Sequence, residues 1–329
     1  MRFHRDSATI RNLPARTVLT IGNFDGIHLG HQMIIREVVE RAGRRGCIPA
    51  LMTFDPPPSR VLGRATLPQI MTLRDKCAVA GELGVELFVC ETFNLALASM
   101  PPEVFMREIL EERLNPVEIL VGYDFAFGKQ RRGDVGMLRS YFEPRGCQVD
   151  QFRPLRARVG QGEEGIVSST RIRELLLEGS VRQAGALLGR PHFVSGPVVH
   201  GDARGRRLGF PTANLSVENL LPANGVYAVR ARFEGRVWPG VANVGRRPTF
   251  RGAVVRVEVH LLDYEGDLYE KRLCVEFIER LRGERRFEGV EGLKRQIERD
   301  IRAARRLLGA RYPETGPSCM EGLKVGACG

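Results

Sequence analysis

The first half of the chain alternates between short apolar runs and segments whose apolar residues recur every three to four positions. Short apolar runs bounded by turn residues predict buried strands, and the three-to-four-residue period predicts amphipathic helices. The predicted strands span 17–21, 47–54, 85–89, 117–121 and 148–152, and the predicted helices include one that follows residue 31 and three at 73–83, 102–114 and 134–142. This alternation predicts βαβ units, and therefore an α/β fold with a Rossmann-like parallel sheet.

The second half changes character near residue 190, where the segments become short and rich in strand-forming residues. The predicted strands span 193–199, 225–233, 236–244, 254–262 and 273–282. They predict a compact antiparallel β-barrel, and the amphipathic pattern of 289–308 predicts a helix that closes it. A chain of 329 residues is long enough for two domains. We expect them at 1–186 and 187–309, followed by a disordered tail at 310–329.

The turn between the first predicted strand and its helix, from Gly22 to His31, contains glycines and two histidines. Open α/β sheets bind ligands where a strand ends and a helix begins, and the first helical turn offers unpaired N–H groups to an anion. His28 and His31 lie three residues apart, so their rings can point in the same direction. An imidazole pair there suits a phosphate whose charge grows during transfer. The alternative is that they are ordinary capping or surface residues.

The H-x-G-H pattern of this turn resembles the signature of the nucleotidylyltransferase superfamily. The flanking Gly22-Asn23-Phe24-Asp25-Gly26 narrows the resemblance to bacterial FAD synthetases. The resemblance implies that His28 and His31 are catalytic. It also implies ATP contacts at Gly22, Asn23, Phe24 and Gly30.

A second helix start lies at 167–173, where two serines and a threonine precede the helical pattern of Ile172, Leu175 and Leu176. Serine and threonine are favourable N-caps, so this segment is either an ordinary capped helix or an anion site with nearby arginines. It resembles the second phosphate motif of the same family. The resemblance implies that the pyrophosphate end of ATP is bound by Ser169, Thr170 and Arg171.

The barrel half contains a glycine-rich segment at 201–215 that leads into Gly209-Phe210-Pro211-Thr212-Ala213-Asn214. Glycines can expose backbone N–H groups to a phosphate, although a plain hairpin loop is the alternative. Thr212 and Asn214 face the same way on an extended segment, and their oxygens suit Mg²⁺ shared with ATP phosphates. The segment resembles the riboflavin kinase signature. The resemblance implies kinase ATP contacts at Gly201, Gly205, Arg206, Gly209, Pro211 and Thr212.

Glu258, on the strand predicted at 254–262, is the candidate base of the kinase. A kinase must remove a proton from a primary alcohol as the alcohol attacks phosphorus, and a positioned carboxylate can do so. The alternative is a salt-bridge partner. Adenylation of FMN needs no base, because the attacking phosphate is already an anion, and that half requires positioning and charge stabilisation instead.

Over residues 16–309 the chain resembles the bacterial bifunctional riboflavin kinase/FAD synthetases. The resemblance implies that ATP phosphorylates riboflavin to FMN in the barrel. A second ATP would then adenylate FMN to FAD in the α/β domain and release pyrophosphate, with Mg²⁺ in each step. Matching segments at 53–56 and 122–128 imply flavin contacts at Asp55, Asp124, Phe125 and Phe127.

Three positions depart from the family pattern. Pro57 stands where the family usually has histidine, and Ala126 stands where arginine is common. Both concern the adenylyltransferase half, so the alternative function is a riboflavin kinase with a degenerate adenylyltransferase domain. Glu270 stands where a glycine usually follows Asp-Leu-Tyr, which predicts a strained turn beside the kinase site.

A net charge of +11 is the main argument for a nucleic-acid partner. Of the 50 basic residues, however, 45 are arginines scattered along the chain, whereas nucleic-acid binders concentrate charge and add stacking aromatics. We expect small-molecule substrates, no nucleic-acid or membrane partner, and a monomer or weak homo-oligomer.

The seven cysteines contain no C-x-x-C pair, which argues against a disulfide framework or a zinc site. No apolar run reaches about 20 residues, and we expect a cytoplasmic protein.

Overall fold

The computed structural model describes residues 1–63, 68–158, 164–200, 205, 208–249 and 252–309. Three sequence predictions lie outside this range. They are the kinase contacts of Gly201 and Arg206 and the disorder of the tail at 310–329.

The elements alternate as predicted in the first half and become mainly strands in the second. The strands are β1 (Arg2–Arg5), β2 (Thr17–Ile21), β3 (Ile48–Asp55), β4 (Leu87–Thr92), β5 (Pro116–Gly122), β6 (Gln148–Phe152), β7 (Arg156–Arg158), β8 (Glu164–Ile166), β9 (His192–Val199), β10 (Ala213–Leu215), β11 (Gly225–Phe233), β12 (Arg236–Thr249), β13 (Gly252–Leu261) and β14 (Arg272–Arg282). The helices are α1 (Leu29–Arg45), α2 (Pro58–Val61), α3 (Leu73–Glu82), α4 (Leu95–Ala98), α5 (Pro102–Val104), α6 (Val135–Phe142), α7 (Ser169–Glu178), α8 (Val181–Leu188) and α9 (Gly289–Gly309).

The first sheet has six parallel strands in the order β1-β4-β3-β2-β5-β6. All five residues of β2 are buried, as expected for a strand covered by helices on both faces. On one face, Val18 and Leu120 pack with Ile34 and Val38 of α1. On the other, Leu19 packs in the larger core that includes the helices after β4 and β5. The predicted Rossmann-like architecture is confirmed.

Two details of this half were not predicted. The strand β1 begins and ends with an exposed arginine and has two half-buried residues between them, so its sequence contains no apolar run. The helix predicted at 102–114 is α-helical only at Pro102–Val104 and continues as a π-helix at Phe105–Leu114. Apolar spacing indicates a helix but does not determine which hydrogen-bond ladder it forms.

The second sheet is a closed antiparallel barrel in the order β10-β13-β12-β11-β14-β9, with β9 pairing back to β10. Valines on alternate positions of β13, Val257 and Val259, are buried. The helix α9 is tied to the barrel by Arg282, whose guanidinium donates to both carboxylate oxygens of Asp300 at 2.8–3.2 Å. The predicted barrel and its closing helix are confirmed.

The described chain forms two compact units. One comprises residues 1–63 and 76–156, and the other comprises 68–75 and 157–309 with the gaps given above. The short segment 68–75 belongs with the barrel through specific contacts. The Leu220 N–H donates to the Gln69 carbonyl at 2.7 Å, and the Ser195 hydroxyl donates to the Asp75 carboxylate at 2.9 Å.

The cysteines largely pack in the interior. Cys77, Cys90 and Cys147 are buried and free, and Cys47 is half-buried and free. Cys274 on β14 is also buried. None of the helices in the described ranges combines the length and apolarity that a bilayer crossing requires.

The buried imidazole of His192 on β9 makes the stability of the barrel unit depend on pH. Burial lowers the pKa of His192 from 6.5 to about 4. Its Nε2 donates to the Leu220 carbonyl at 2.9 Å. Because burial lowers the pKa, the ring is neutral in the folded protein at neutral pH. Between pH 6.5 and 4 the unfolded state binds the extra proton, and stability therefore falls as the pH falls.

We expect the free energy of unfolding to drop by about 2 kcal/mol between pH 7.5 and pH 5 through His192 alone. Urea titrations at several pH values, followed by the fluorescence of Trp238 in the same unit, measure this slope. His192→Gln removes the titrating group and should flatten the profile in this range. Equal slopes for wild type and variant would contradict the assignment.

Candidate functional sites

The turn that follows β2 lies where the strand order of the parallel sheet reverses. β2 pairs with β3 on one side and with β5 on the other. Crevices at the carboxyl ends of such strands are the preferred ligand sites of open α/β sheets. The predicted phosphate-binding turn therefore occupies the position in the sheet that the fold provides for a ligand.

His28 is the N-cap of α1. Its Nδ1 accepts the backbone N–H of His31 at 3.3 Å, so the capping alternative correctly describes the geometry. This role leaves the ring proton of neutral His28 on Nε2, because Nδ1 acts as the acceptor. The rings of His28 and His31 are stacked with centroids 3.6 Å apart and 16° between planes. The two imidazoles thus lie together at the helix start, as their spacing predicted.

Two neighbours determine how these rings are packed. Phe24 is buried, and its ring meets that of His31 edge-on with centroids 5.1 Å apart. Gly30 leaves room for His28, since a Cβ there would lie 3.3 Å from both Cε1 and Nδ1 of that imidazole. Phe24 therefore supports His31, and Gly30 allows His28 to fold over the first turn.

Three buried polar side chains that sequence analysis did not single out hold the backbone of this turn. Gln32 donates from Nε2 to the Ile27 carbonyl at 2.9 Å, and Ile27 has a φ of +37°. The Asn23 carbonyl accepts from the Thr53 hydroxyl at 3.2 Å and from the Lys76 ammonium at 3.0 Å. A usable signal was present: Lys76 lies three and four residues before the buried Val79 and Ala80, where helical periodicity favours an apolar residue.

Asp55 and Asp124 lie at the carboxyl ends of the strands on either side of β2. Asp55 is the last residue of β3 and forms an ion pair with Arg5 at 3.1 Å. Asp124 follows β5 and is exposed, and its carbonyl accepts from the Arg131 guanidinium at 3.2 Å. Ala126 stands where arginine is common in the family, and Arg131 supplies a guanidinium to the same loop.

Phe125 and Phe127 are stacked with centroids 5.5 Å apart, but they differ in exposure. Phe127 is buried in the core against Phe105, whereas Phe125 is half-buried. Of these two rings, Phe125 offers more surface to a flavin, and Phe127 supports it from below.

The second predicted phosphate motif forms the start of α7. Ser168 is its N-cap and accepts the Arg171 N–H at 3.3 Å, so the predicted capping is confirmed. Thr170 and Arg171 are exposed, and the Arg171 guanidinium also donates to Glu174 at 3.0 Å. The helix α7 groups with the second compact unit.

The predicted kinase residues meet on adjacent barrel strands. Asn214 of β10 lies directly opposite Glu258 of β13, and Asn243 of β12 lies opposite Glu258 on the other side. Directly opposed residues share one face of a sheet. Because Val257 and Val259 are buried, Glu258 lies on the face turned away from the barrel interior.

Two described residues of the segment before β10 are joined by a hydrogen bond. The Phe210 N–H donates to the Gly205 carbonyl at 2.9 Å, and a Cβ on Gly205 would overlap the Phe210 carbonyl oxygen. Gly209 has a φ of +88°, which favours glycine. His260 Nδ1 donates to the Pro211 carbonyl at 2.8 Å. His260, two residues after Glu258, therefore anchors the segment that bears Thr212.

A half-open pocket lies beside this segment. Thr212 lines it together with Asp267 and Tyr269 from the turn before β14. Tyr269 is stacked on His200 with centroids 4.0 Å apart, and its N–H donates to the Asp267 carboxylate at 3.0 Å. The pocket is adjacent to the candidate Mg²⁺ ligand Thr212 and has apolar walls, including Val259 and Leu261.

Glu270 has the strained conformation that its departure from glycine predicted. Its φ is +64°, and its N–H donates to the Val198 carbonyl at 3.1 Å. A non-glycine residue in the left-handed conformation costs roughly 1–2 kcal/mol of stability. Glycine avoids this cost, but its greater conformational freedom in the unfolded chain offsets part of the gain. We expect Glu270→Gly to raise the free energy of unfolding by up to about 1 kcal/mol. Urea unfolding followed by Trp238 fluorescence measures it.

Glu265→Gly is the matched control, because Glu265 is exposed and is not among the positive-φ residues of the described chain. The same substitution there should lower stability by about 0.5–1 kcal/mol. Equal effects at the two positions would show that the backbone of Glu270 is not strained.

The parallel sheet and the barrel thus each carry a separate set of residues suited to phosphate chemistry, which defines a two-site phosphate-transfer enzyme. The FAD synthetase family matches residues 10–171, and the riboflavin kinase family matches residues 188–308.

Several relatives match nearly the whole chain. Three proteins named bifunctional riboflavin kinase/FMN adenylyltransferase are 38% (Bacillus subtilis), 40% (Pseudomonas fluorescens) and 37% (Escherichia coli) identical. These alignments cover 88–90% of this chain and 92–94% of the relatives. A crystal structure titled as a macrolide-efflux protein from Streptococcus pneumoniae has a TM-score of 0.82 and 31% identity, covering 92% of this chain and 98% of that one.

The chain belongs to the family of bifunctional riboflavin kinase/FMN adenylyltransferases. Because the FAD synthetase match includes the H-x-G-H turn and the start of α7, these findings favour two activities over a kinase with a degenerate first domain.

Proposed function

We propose that the barrel unit transfers the γ-phosphate of ATP to riboflavin and that the parallel-sheet unit transfers the adenylyl group of a second ATP to FMN, giving FAD and pyrophosphate. The observation that carries this proposal is the presence of two unlike sites. One has an anion-binding helix start with two imidazoles, and the other has a carboxylate opposite Asn214. Only the kinase step requires a base, and Glu258 on β13 places a carboxylate directly opposite Asn214.

In the adenylyltransferase site, His28 and His31 stabilise the charge that develops on the α-phosphate as pyrophosphate leaves. The backbone of Gly22, Asn23, Phe24 and Gly30 binds ATP. For Ser169, Thr170 and Arg171, which belong to the other compact unit, a phosphate contact is proposed from the family match over 10–171 alone. Asp55, Asp124 and Phe125 contact the flavin, with Phe127 beneath. Support comes from the carboxyl-edge location of Asp55 and Asp124 and from the family match over 10–171.

In the kinase site, Glu258 removes the proton of the ribityl hydroxyl as it attacks the γ-phosphate. The loop residues Gly201, Gly205, Arg206, Gly209, Pro211 and Thr212 bind ATP. Thr212 and Asn214 would hold Mg²⁺, and this donor set fits it, since Mg²⁺ shared with ATP takes most of its ligands from phosphates and water. When bound, the ion offsets the negative charge of the phosphates.

We assign residues 1–186 to the adenylyltransferase and 187–309 to the kinase, supported by family matches at 10–171 and 188–308. Both reactions act on small molecules and consume ATP, so we propose a cytoplasmic enzyme that needs no nucleic-acid partner and works as a monomer or weak homo-oligomer.

The test is a time course of purified protein with riboflavin, ATP and Mg²⁺, with the flavins separated by chromatography. FMN should rise first and then give way to FAD. FMN alone would mean that the departures at Pro57 and Ala126 have silenced the adenylyltransferase.

A further inference from the structure

Lys76 is a buried cation directly behind the phosphate-binding turn. It lies in α3, only 2% of its surface is exposed, and its ammonium donates to the Asn23 carbonyl at 3.0 Å. The same carbonyl accepts from the Thr53 hydroxyl of β3 at 3.2 Å. Two side chains from two different elements therefore fix the orientation of one peptide group.

That peptide group joins Asn23 to Phe24, and its orientation determines the shape of the turn. Phe24 has a φ of +46°, a conformation that a bulky non-glycine residue keeps only when its surroundings enforce it. From Phe24 the contacts continue to the histidines. Its ring meets His31 at 5.1 Å between centroids, and His31 is stacked on His28 at 3.6 Å.

A buried ammonium is costly unless it is hydrogen-bonded or paired, and a methionine would fill a similar volume at a lower cost. Here the ammonium donates a hydrogen bond to the Asn23 carbonyl, which offsets part of that cost and fixes the orientation of the peptide group. Because Lys76 is almost fully buried, it acts through the backbone of the turn and does not touch the substrate.

We propose that Lys76 is a positioning residue for adenylyl transfer, which together with Thr53 holds the Asn23–Phe24 peptide so that His31 and His28 keep their catalytic arrangement. This inference rests on the proposed function of the parallel-sheet unit. Misplacing a catalytic group by about 1 Å can cost on the order of a hundredfold in rate. The effect should therefore appear in kcat through His31 and His28. Because the same peptide belongs to the proposed ATP-binding backbone, KM for ATP should rise as well, whereas KM for FMN should not change.

The experiment compares wild type, Lys76→Met and Thr53→Val, with Lys294→Met as the matched control on α9, far along the chain and half-exposed. Adenylyl transfer is measured with added FMN and ATP, and riboflavin kinase activity is measured on the same samples. We expect Lys76→Met to lower kcat for FAD formation by about 10- to 100-fold, with KM for FMN within about threefold of the wild-type value. Thr53→Val should lower kcat in the same direction by a smaller factor, and Lys294→Met should match wild type.

A Lys76→Met protein with wild-type kcat and a lowered melting temperature would overturn the proposal, as would a change confined to KM. If Lys76→Met does not fold, Thr53→Val decides, and an unchanged kcat in that variant overturns the proposal. A wild type that makes FMN but no FAD would overturn the proposed function and this inference with it. If the wild type makes FAD and Lys76→Met makes it with the same kcat, the inference about Lys76 is overturned but the proposed function is not.

Discussion

Replacement of His28 by alanine should lower the rate of FAD formation by about 10²- to 10³-fold while FMN still accumulates from riboflavin. Removing one group that stabilises transition-state charge costs about this much in other enzymes. The kinase should be unaffected, because Glu258 and Asn214 lie in the other compact unit. Chromatography of the flavins formed from riboflavin and ATP measures both steps in one sample.

The capping role of His28 requires a control, since its Nδ1 accepts the His31 N–H and alanine removes that acceptor. Loss of an N-cap costs about 1 kcal/mol of stability. His28→Asn restores a good cap without an imidazole. We expect His28→Asn to recover the melting temperature but not FAD formation. Recovery of both would mean that capping alone explains the residue.

The sequence predicted the layout of the fold because apolar residues dominate the buried strands. The prediction of β2 matches the observed strand residue for residue, and β11 was predicted equally well. The polar edge strand β1 was missed, because its two exposed arginines and two half-buried residues form no pattern. Prediction therefore worked where burial dictated the residue type and failed where hydrogen bonding at the sheet edge was sufficient.

Site prediction has a different limit. The pair of His28 and His31 could be recognised from spacing, because a helix start brings residues three apart together. The residues that hold the turn could not be recognised in this way. Lys76 lies 53 positions from Asn23, and only the tertiary fold brings its ammonium to that carbonyl. A lysine at an apolar position of a helix indicates a buried partner but does not identify it.

The second large effect is expected at Glu258. Its side chain lies on the outer face of β13, and the residues directly opposite are the uncharged Asn214 and Asn243. A carboxylate directly opposite the candidate Mg²⁺ ligand Asn214 has the chemistry required of a general base.

We expect Glu258→Gln to reduce riboflavin phosphorylation by about 10²- to 10⁴-fold, because glutamine keeps the shape of the side chain but cannot accept the proton. FAD formation from added FMN should continue at the wild-type rate. Glu279→Gln on β14 is the matched control, since it makes the same chemical change in a residue paired at 3.7 Å with Arg182 on α8. If Glu258→Gln lowered the melting temperature and left kcat for FMN formation unchanged, Glu258 would be a structural residue, and the proton of the ribityl hydroxyl would have to leave by another route.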